Sequence, residues 1–360
     1  MQIINSLTVA TGAPAGAGSI TLVTNLTISL GEPLGNGSFG TVYKTYDPQL
    51  GCELAVKKID KAKIKATNLF HEAQMTQATK HPHVVEIKYG CELADFIYIA
   101  MPIYKTSLAA VLKSKALTLG EIVRYTTHLL LGLQHAHSKG VLHCDIKPGN
   151  LLLTEQDTLV LSDFGCAKKM LLSGAAKLDH VYGLHQAPEQ FPGSHGGAAV
   201  STIKTDIYQV GVTLLRMLWG SEFENHNREA TDSDVIAGKF PKRSVPAYIP
   251  DRMQRIVERC LMPNPDLRYD TVEELQKEIS RLDKYLDWRP SVSGNVQKLT
   301  RNMEQTLTEI CITADPVKTI VRVYKTGKSG RRYQQQQHAR VCNSRTLVDQ
   351  HLKDVLRAID

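Results

Sequence analysis

No Cys-x-x-Cys pair occurs in this chain, and its seven cysteines, at 52, 91, 144, 166, 260, 311 and 342, are odd in number. A zinc ribbon or a disulfide framework is therefore not expected, and a reducing compartment is. No apolar run approaches the ~20 residues that a spanning helix needs. The first 20 residues hold no Lys or Arg, so the basic region of a secretory signal is missing. No lipidation motif stands out, and no repeat at the ~20–50-residue period of solenoids is found. Together these absences predict a soluble, cytoplasmic protein.

Acidic residues are scarce in one place. Residues 291–360 hold 12 Lys+Arg against 6 Asp+Glu, while the remaining 290 residues hold 31 against 30. The formal charge of +7 thus belongs to the C-terminal segment.

Organisation follows from pattern. Residues 1–25, rich in Ala, Gly, Ser and Thr, predict a flexible lead-in. From Leu26 to Tyr104 the pattern is β-like, with strands expected at 41–46, 54–57 and 96–101 and one helix over 66–79, Leu69 and Ala73 on one side. Helices dominate from Leu108, over 120–138, 205–219 and 270–287, with short strands around 151–161. A β-rich lobe followed by a helical one is an α+β class. The domains expected are a lead-in (1–25), a main domain (26–287) and a basic extension (288–360). Within the extension, Val296, Leu299, Met303, Leu307 and Ile310 predict one amphipathic helix, and Val348, Leu352, Val355 and Ile359 another. Between them lie a β-like piece (Val317–Tyr324) and a basic, Gln-rich linker (325–340).

Three constellations carry chemistry. The run Leu34-Gly35-Asn36-Gly37-Ser38-Phe39-Gly40-Thr41-Val42 is followed by β-branched and aromatic residues, so a strand–turn–strand is expected instead of a strand–helix. Without Cβ atoms, its backbone amides can lie over phosphates. Ala55-Val56-Lys57 precedes Glu72 by 15 residues from the lysine. A strand lysine that grips phosphates must be aimed, and a carboxylate on a packed helix can aim it. In His143-Cys144-Asp145-Ile146-Lys147-Pro148-Gly149-Asn150, Asp145 can accept a hydroxyl proton, Lys147 can reach a transferring phosphate and Asn150 can hold a metal ion. Asp163-Phe164-Gly165 comes 13 residues after Asn150, and its carboxylate can bind Mg²⁺.

This ordered set resembles the protein kinase superfamily over about residues 26–287. Ala187-Pro188-Glu189, Asp206-Ile207-Tyr208-Gln209-Val210-Gly211 and Arg268 match further landmarks, the second resembling the helix that anchors the catalytic loop and Arg268 the partner of Glu189. The resemblance implies a bilobal fold with ATP and Mg²⁺ as cofactors. It puts Met101 at the gatekeeper and Pro102 and Tyr104 in the hinge, with Val42, Ala55 and Leu152 around adenine. Lys57 and Glu72 would serve the phosphates, Asn150 and Asp163 the metal, and Asp145 with Lys147 catalysis. His143 and Phe164 would belong to the regulatory spine, where Thr76 replaces an apolar residue.

Lys147 within Asp-Ile-Lys-Pro implies serine/threonine specificity, although Tyr182 stands where such kinases commonly have threonine. Cys144 replaces the arginine that in the family pairs with an activation-loop phosphate, and residues 166–186 offer only Ser173 and Tyr182 as hydroxyls. Activation by loop phosphorylation is not expected. Glu155-Gln156-Asp157, Ser162 to Cys166, His185 and the non-arginine residue at 144 resemble the Mos kinases, implying a MAP kinase kinase as substrate. A pseudokinase scaffold and a small-molecule phosphotransferase are the rival readings. The first loses weight because Lys57, Glu72, Asp145, Asn150 and Asp163 are all present. The second loses weight because Glu189, Asp206 and Arg268 are. The run Lys318–Arg332 has six Lys/Arg and no acid. It is read as a solvated linker, not a nucleic-acid site, because only Tyr324 and Tyr333 offer stacking. The extension is expected to dock a protein partner.

Overall fold

Alternation builds the first lobe. Along Cys52–Asp60 (β3), Leu54 and Val56 enter one apolar cluster while Ala55 and Ile59 enter another on the opposite face. β3 is the centre of a five-stranded antiparallel sheet. Ser29–Gly37 (β1) and Gly40–Asp47 (β2) lie on one side of it, and Phe96–Pro102 (β5) and Tyr89–Leu93 (β4) on the other. The helix His71–Ala78 (α1) covers the face that holds Ala55, through Ala73.

The structure is a computed structural model. It describes residues 7–8, 23–24, 29–37, 40–63, 70–170, 176–177, 185–191, 200–227, 230–246, 248–282, 287–304, 306–315 and 317–359. Most of the expected lead-in lies outside these residues, as do Leu26, Leu69, Ser173 and Tyr182. Two pieces of the lead-in are described, Leu7–Thr8 and Val23–Thr24, and they pair antiparallel.

The second lobe is helical. Leu119–Ser138 (α2) starts at a capping box in which Glu121 N–H donates to Thr118 Oγ1 and Thr118 N–H donates to Glu121 Oε2. Ile203–Trp219 (α3) is buried along most of its length. It passes close to Asp251–Cys260 (α4), where a Cβ on Gly211 would lie 2.7 Å from Cys260 Cβ. Val272–Ile279 (α5) ends eight residues before the expected limit of 287. The strands expected around 151–161 are Leu151–Leu153 and Leu159–Leu161, which pair with each other. Among the described residues no helix is long and apolar enough to cross a membrane.

The extension corrects the sequence reading. Val296 to Ile310 is not a helix but a hairpin, Val296–Met303 (β7) and Thr306–Ala314 (β8). They belong to a six-stranded antiparallel sheet with Arg289–Ser293 (β6), Thr319–Gly327 (β9), Arg332–Gln334 (β10) and Arg340–Cys342 (β11). The spacing of Leu299, Met303, Leu307 and Ile310 fits a helix, but Thr300, Thr306, Thr308, Ile312 and Thr313 favour strands, and alternation wins. Met303, expected in the apolar face, is 55% exposed. The linker expected over 325–340 contains β10 and the end of β9. The last helix is present, as Arg345–Ile359 (α6).

Leu299, Ile310, Val321 and Val323 share one buried cluster with Val348, Leu352 and Val355 of α6, and that cluster continues into Leu282, Trp288 and the second lobe.

Candidate active site

Strand register sets the upper half of the site. Val42 lies opposite Lys57, and Ala55 lies opposite Met101. Val42, Ala55, Met101 and Tyr104 consequently fall in one apolar cluster beneath the glycine loop. That loop is the expected strand–turn–strand, with Gly37 opposite Gly40. Gly40 is obligatory there, because a Cβ would sit 2.0 Å from the Lys58 carbonyl oxygen. Gly35 and Asn36 are in β1, and Leu34 is 47% exposed at its surface. Ser38 and Phe39 lie outside the described residues. Pro102 ends β5 opposite Leu54, and the Tyr104 hydroxyl accepts from Glu86 N–H at 3.3 Å. Leu152 is half-buried and pairs with Val160 and Ser107.

Lys57 is the hub. Its ammonium donates to both oxygens of Glu72, at 2.8 and 2.9 Å, and to Asp163 Oδ1 at 2.8 Å. It is 5% exposed. Burial alone would favour a neutral amine, but Glu72 and Asp163 outweigh it and hold the pKa above the ordinary lysine value. Burial pushes the Glu72 carboxyl up against the pull of Lys57, and Asp163 adds to the rise. Burial also penalises the Asp163 carboxylate, yet Lys57 keeps its pKa below the usual range. One cation between two carboxylates is what allows all three to be buried.

The lower half converges on Asp145. Lys147 Nζ donates to its two oxygens at 3.0 and 2.7 Å, and Asn150 Nδ2 donates to its Oδ2 at 2.9 Å and its carbonyl at 2.8 Å. The loop is fixed from α3. Asp206 accepts from the backbone N–H of His143 and Cys144, at 3.0 and 2.8 Å, and contacts His137 Nε2 at 2.8 Å. Gln209, one turn on, accepts from Ile146 N–H and donates to the Cys144 carbonyl. These bonds hold Cys144 at φ 66°, and Asp163 stands at φ 62°. Left-handed backbone at two non-glycine residues is strain kept by its surroundings. His143 meets Phe164 edge to face, with centroids 4.8 Å apart.

The role of His137 escaped the sequence reading, whereas Gln209 lies in the helix expected to anchor the loop, three residues after Asp206 on one helical face. Thr76 is buried where an apolar residue was expected, and its hydroxyl is satisfied by the Glu72 carbonyl at 2.8 Å. Cys144 packs among Leu142, Cys166, Met170 and Ile203. Burial raises its thiol pKa well above the ordinary value.

The residues fit a hard divalent cation. Asp163 gives only one oxygen to Lys57, and the side-chain oxygen of Asn150 makes no hydrogen bond among the described residues. Two free oxygens beside a cleft suit Mg²⁺, which prefers one or two protein ligands plus phosphates.

Comparison with known proteins agrees. The protein kinase domain model matches residues 28–279. Cyclin-dependent kinase D-1 of Arabidopsis thaliana is 28% identical over 275 residues, 73% of this chain and 67% of that protein. The mouse proto-oncogene serine/threonine-protein kinase mos is 32% identical over 204 residues, 50% of this chain and 57% of that one. CBL-interacting serine/threonine-protein kinase 20 of A. thaliana is 31% identical over 239 residues, 64% of this chain and 53% of its own. The chain thus spans between about half and two thirds of the length of these relatives. With the family model covering most of the chain, this protein belongs to the protein kinase superfamily.

Proposed function

We propose that the chain is an ATP-dependent serine/threonine protein kinase that uses Mg²⁺. The observation that carries the reading is the pair of hubs, Lys57 between Glu72 and Asp163, and Asp145 with Lys147 and Asn150. In this reading Leu34 to Gly40 cover the phosphates, while Val42, Ala55, Met101 and Leu152 enclose adenine beside the Pro102–Tyr104 hinge. Lys57, aimed by Glu72, holds the phosphates. Asp163 and Asn150 hold Mg²⁺, which spreads the charge that develops on the phosphates. Asp145 accepts the substrate hydroxyl proton, and Lys147 steadies the transferred group. Catalysis is mainly positioning and charge stabilisation. The seven free cysteines suit a reducing, cytoplasmic setting.

The test is phosphate transfer from Mg–ATP to serine and threonine peptides. Asp163→Asn is expected to abolish turnover while the fold is kept. If wild type transfers nothing, and Asp163→Asn leaves nucleotide binding unchanged, a scaffold role replaces the enzyme.

The similarity to mos supports a MAP kinase kinase as protein substrate. A substrate panel that includes one should rank it above generic proteins. Equal rates across the panel would remove this narrower reading.

A further inference from the structure

The whole formal charge of +7 is carried by Arg289–Cys342, the sheet of the extension, with ten Lys/Arg against Glu304, Glu309 and Asp315. The strand register sorts these charges. Leu299, Ile310, Val321 and Val323 point into the core with α6. On the other face, Lys298 and Arg322 flank Cys311 in one row, and Thr300, Glu309, Tyr324 and Gln334 form the next. Arg332 joins the same face opposite Thr326. It donates to Glu309 Oε2 at 2.8 Å, and its guanidinium lies 3.7 Å from the centroid of the Tyr324 ring. Lys298 donates to Glu309 Oε1 at 2.7 Å. Glu309 is thereby used up and 93% buried, while Arg322 has no ion-pair partner among the described residues. The adjoining turn between β9 and β10 adds Lys328 and Arg331, with Gly330 at φ 75°.

We infer that this outer face, with the Lys328–Arg331 turn, is a binding surface for single-stranded nucleic acid. The sequence argued against such a partner because only Tyr324 and Tyr333 offer stacking; as strands, Arg322 and Arg332 of the run lie on one face of the sheet, with Arg332 over Tyr324, while Lys325 lies on the other, in register with Thr308 and Tyr333. Two features select the occupant. Lys298, Arg322 and Arg332 on this face and Lys328 and Arg331 in its turn stand against one buried acid, Glu309, which favours a polyanion. The central rows offer hydroxyls, amides and guanidinium groups, and the exposed apolar residue of this face, Val341, lies in the adjoining row opposite Ile320. The Arg332 guanidinium lies over the Tyr324 ring with its side chain 46% exposed, which leaves a guanidinium group on which an unstacked base can lie. Affinity would come from phosphate contacts and the stacking platform, without sequence readout.

The test uses the full chain and a fluorescent single-stranded oligonucleotide, with anisotropy followed from about 50 to 200 mM salt. Poly-glutamate and phosphatidylserine vesicles serve as parallel probes. Wild type is expected to bind the oligonucleotide with an affinity that falls steeply with salt. The triple variant Arg322→Glu, Lys328→Glu, Arg331→Glu should lose at least tenfold. Its log–log salt slope should shrink by about 2, at ~0.7 per phosphate contact. Peptide phosphorylation and melting temperature should stay unchanged, since none of the three residues belongs to the catalytic cleft. The matching glutamine triple should weaken binding in the same direction. Absence of binding at low salt, or equal binding by both triples and wild type, overturns the proposal. So does binding of poly-glutamate or vesicles that equals the oligonucleotide and is lost with the same variants, because the face would then be a general anion or lipid surface.

Discussion

Arg268 is 1% exposed, yet all five of its N–H groups are used. Nη1 and Nη2 grip the two oxygens of Glu189 at 2.7 and 2.8 Å. The remaining donors meet the carbonyls of Met262, Lys204 and Pro263. Removing one partner of such a pair leaves a buried charge uncompensated, at about 3–5 kcal/mol. Arg268→Met is therefore expected to lower the melting temperature by about 4–7 °C in calorimetry, at ~2.1 cal/mol/K of unfolding entropy per residue. An unchanged transition would mean that the pair contributes nothing. Cys144 supports a second prediction. A buried thiol among Leu142, Met170 and Ile203 cannot hold a phosphate as a guanidinium does. Phosphatase treatment should leave peptide turnover intact, and a drop beyond tenfold, ~1.4 kcal/mol, that maps to Ser173 or Tyr182 would contradict this.

At the scale of elements, α2, α3 and the loop before β4 hold histidines and acids whose neutral or charged forms are set by folding. His128 Nδ1 accepts from Leu159 N–H at 3.2 Å, so protonation removes an acceptor. Burial, then His83 and Arg124, lowers its pKa to about 4, against an opposing pull from Asp157. Burial lowers His81 as well, helped by His135 and His83. It lowers His185 well below the ordinary value, helped by Arg216 and Lys147. Folded pKa values below the unfolded ones give stability that is full above pH 6.5 and is lost as pH falls toward about 4. Asp206 acts with the same sign at lower pH. Burial opposes its ionisation, but the His137 contact and the backbone donors keep its pKa below 3.8. Denaturant titrations across pH should therefore show stability falling steadily below pH 6.5, with protons taken up on unfolding. A flat profile from pH 7 to 4 would be incompatible with these buried imidazoles. Much of the cleft was legible from the sequence because its chemistry tolerates few substitutes. Lys57, Glu72, Asp145, Asn150 and Asp163 stand at spacings that match the protein kinase family, and hydrogen bonds join Lys57 to Glu72 and Asp163 and Asn150 to Asp145. The supports were less legible, since His137 acts only through the Asp206 carboxylate and Gln209 through backbone groups of the loop, which leave no fixed residue type. The β7–β8 hairpin was misread because its five apolar positions satisfy a helical period and its turn at Glu304 carries no glycine or proline.

For the whole molecule, the extension shares its core with the second lobe. Leu282, Trp288, Leu299 and Leu352 belong to one buried cluster, and Arg289–Glu121 and Lys353–Asp251 pairs cross between the parts. Truncation after Arg289 would expose apolar area worth about 25 cal/mol per Å². The truncated chain is expected to melt several degrees lower or to aggregate, and an unchanged melting temperature would make the extension an independent module. The lopsided charge also bears on how substrate preference is measured. Its field decays over about 10 Å at 0.1 M salt but over about 30 Å at 0.01 M. In dilute buffer, acidic peptides would gather around the molecule whatever the cleft selects. A ranking of peptides that changes between dilute and physiological buffer would report the sheet, and only the part that survives added salt would belong to the cleft.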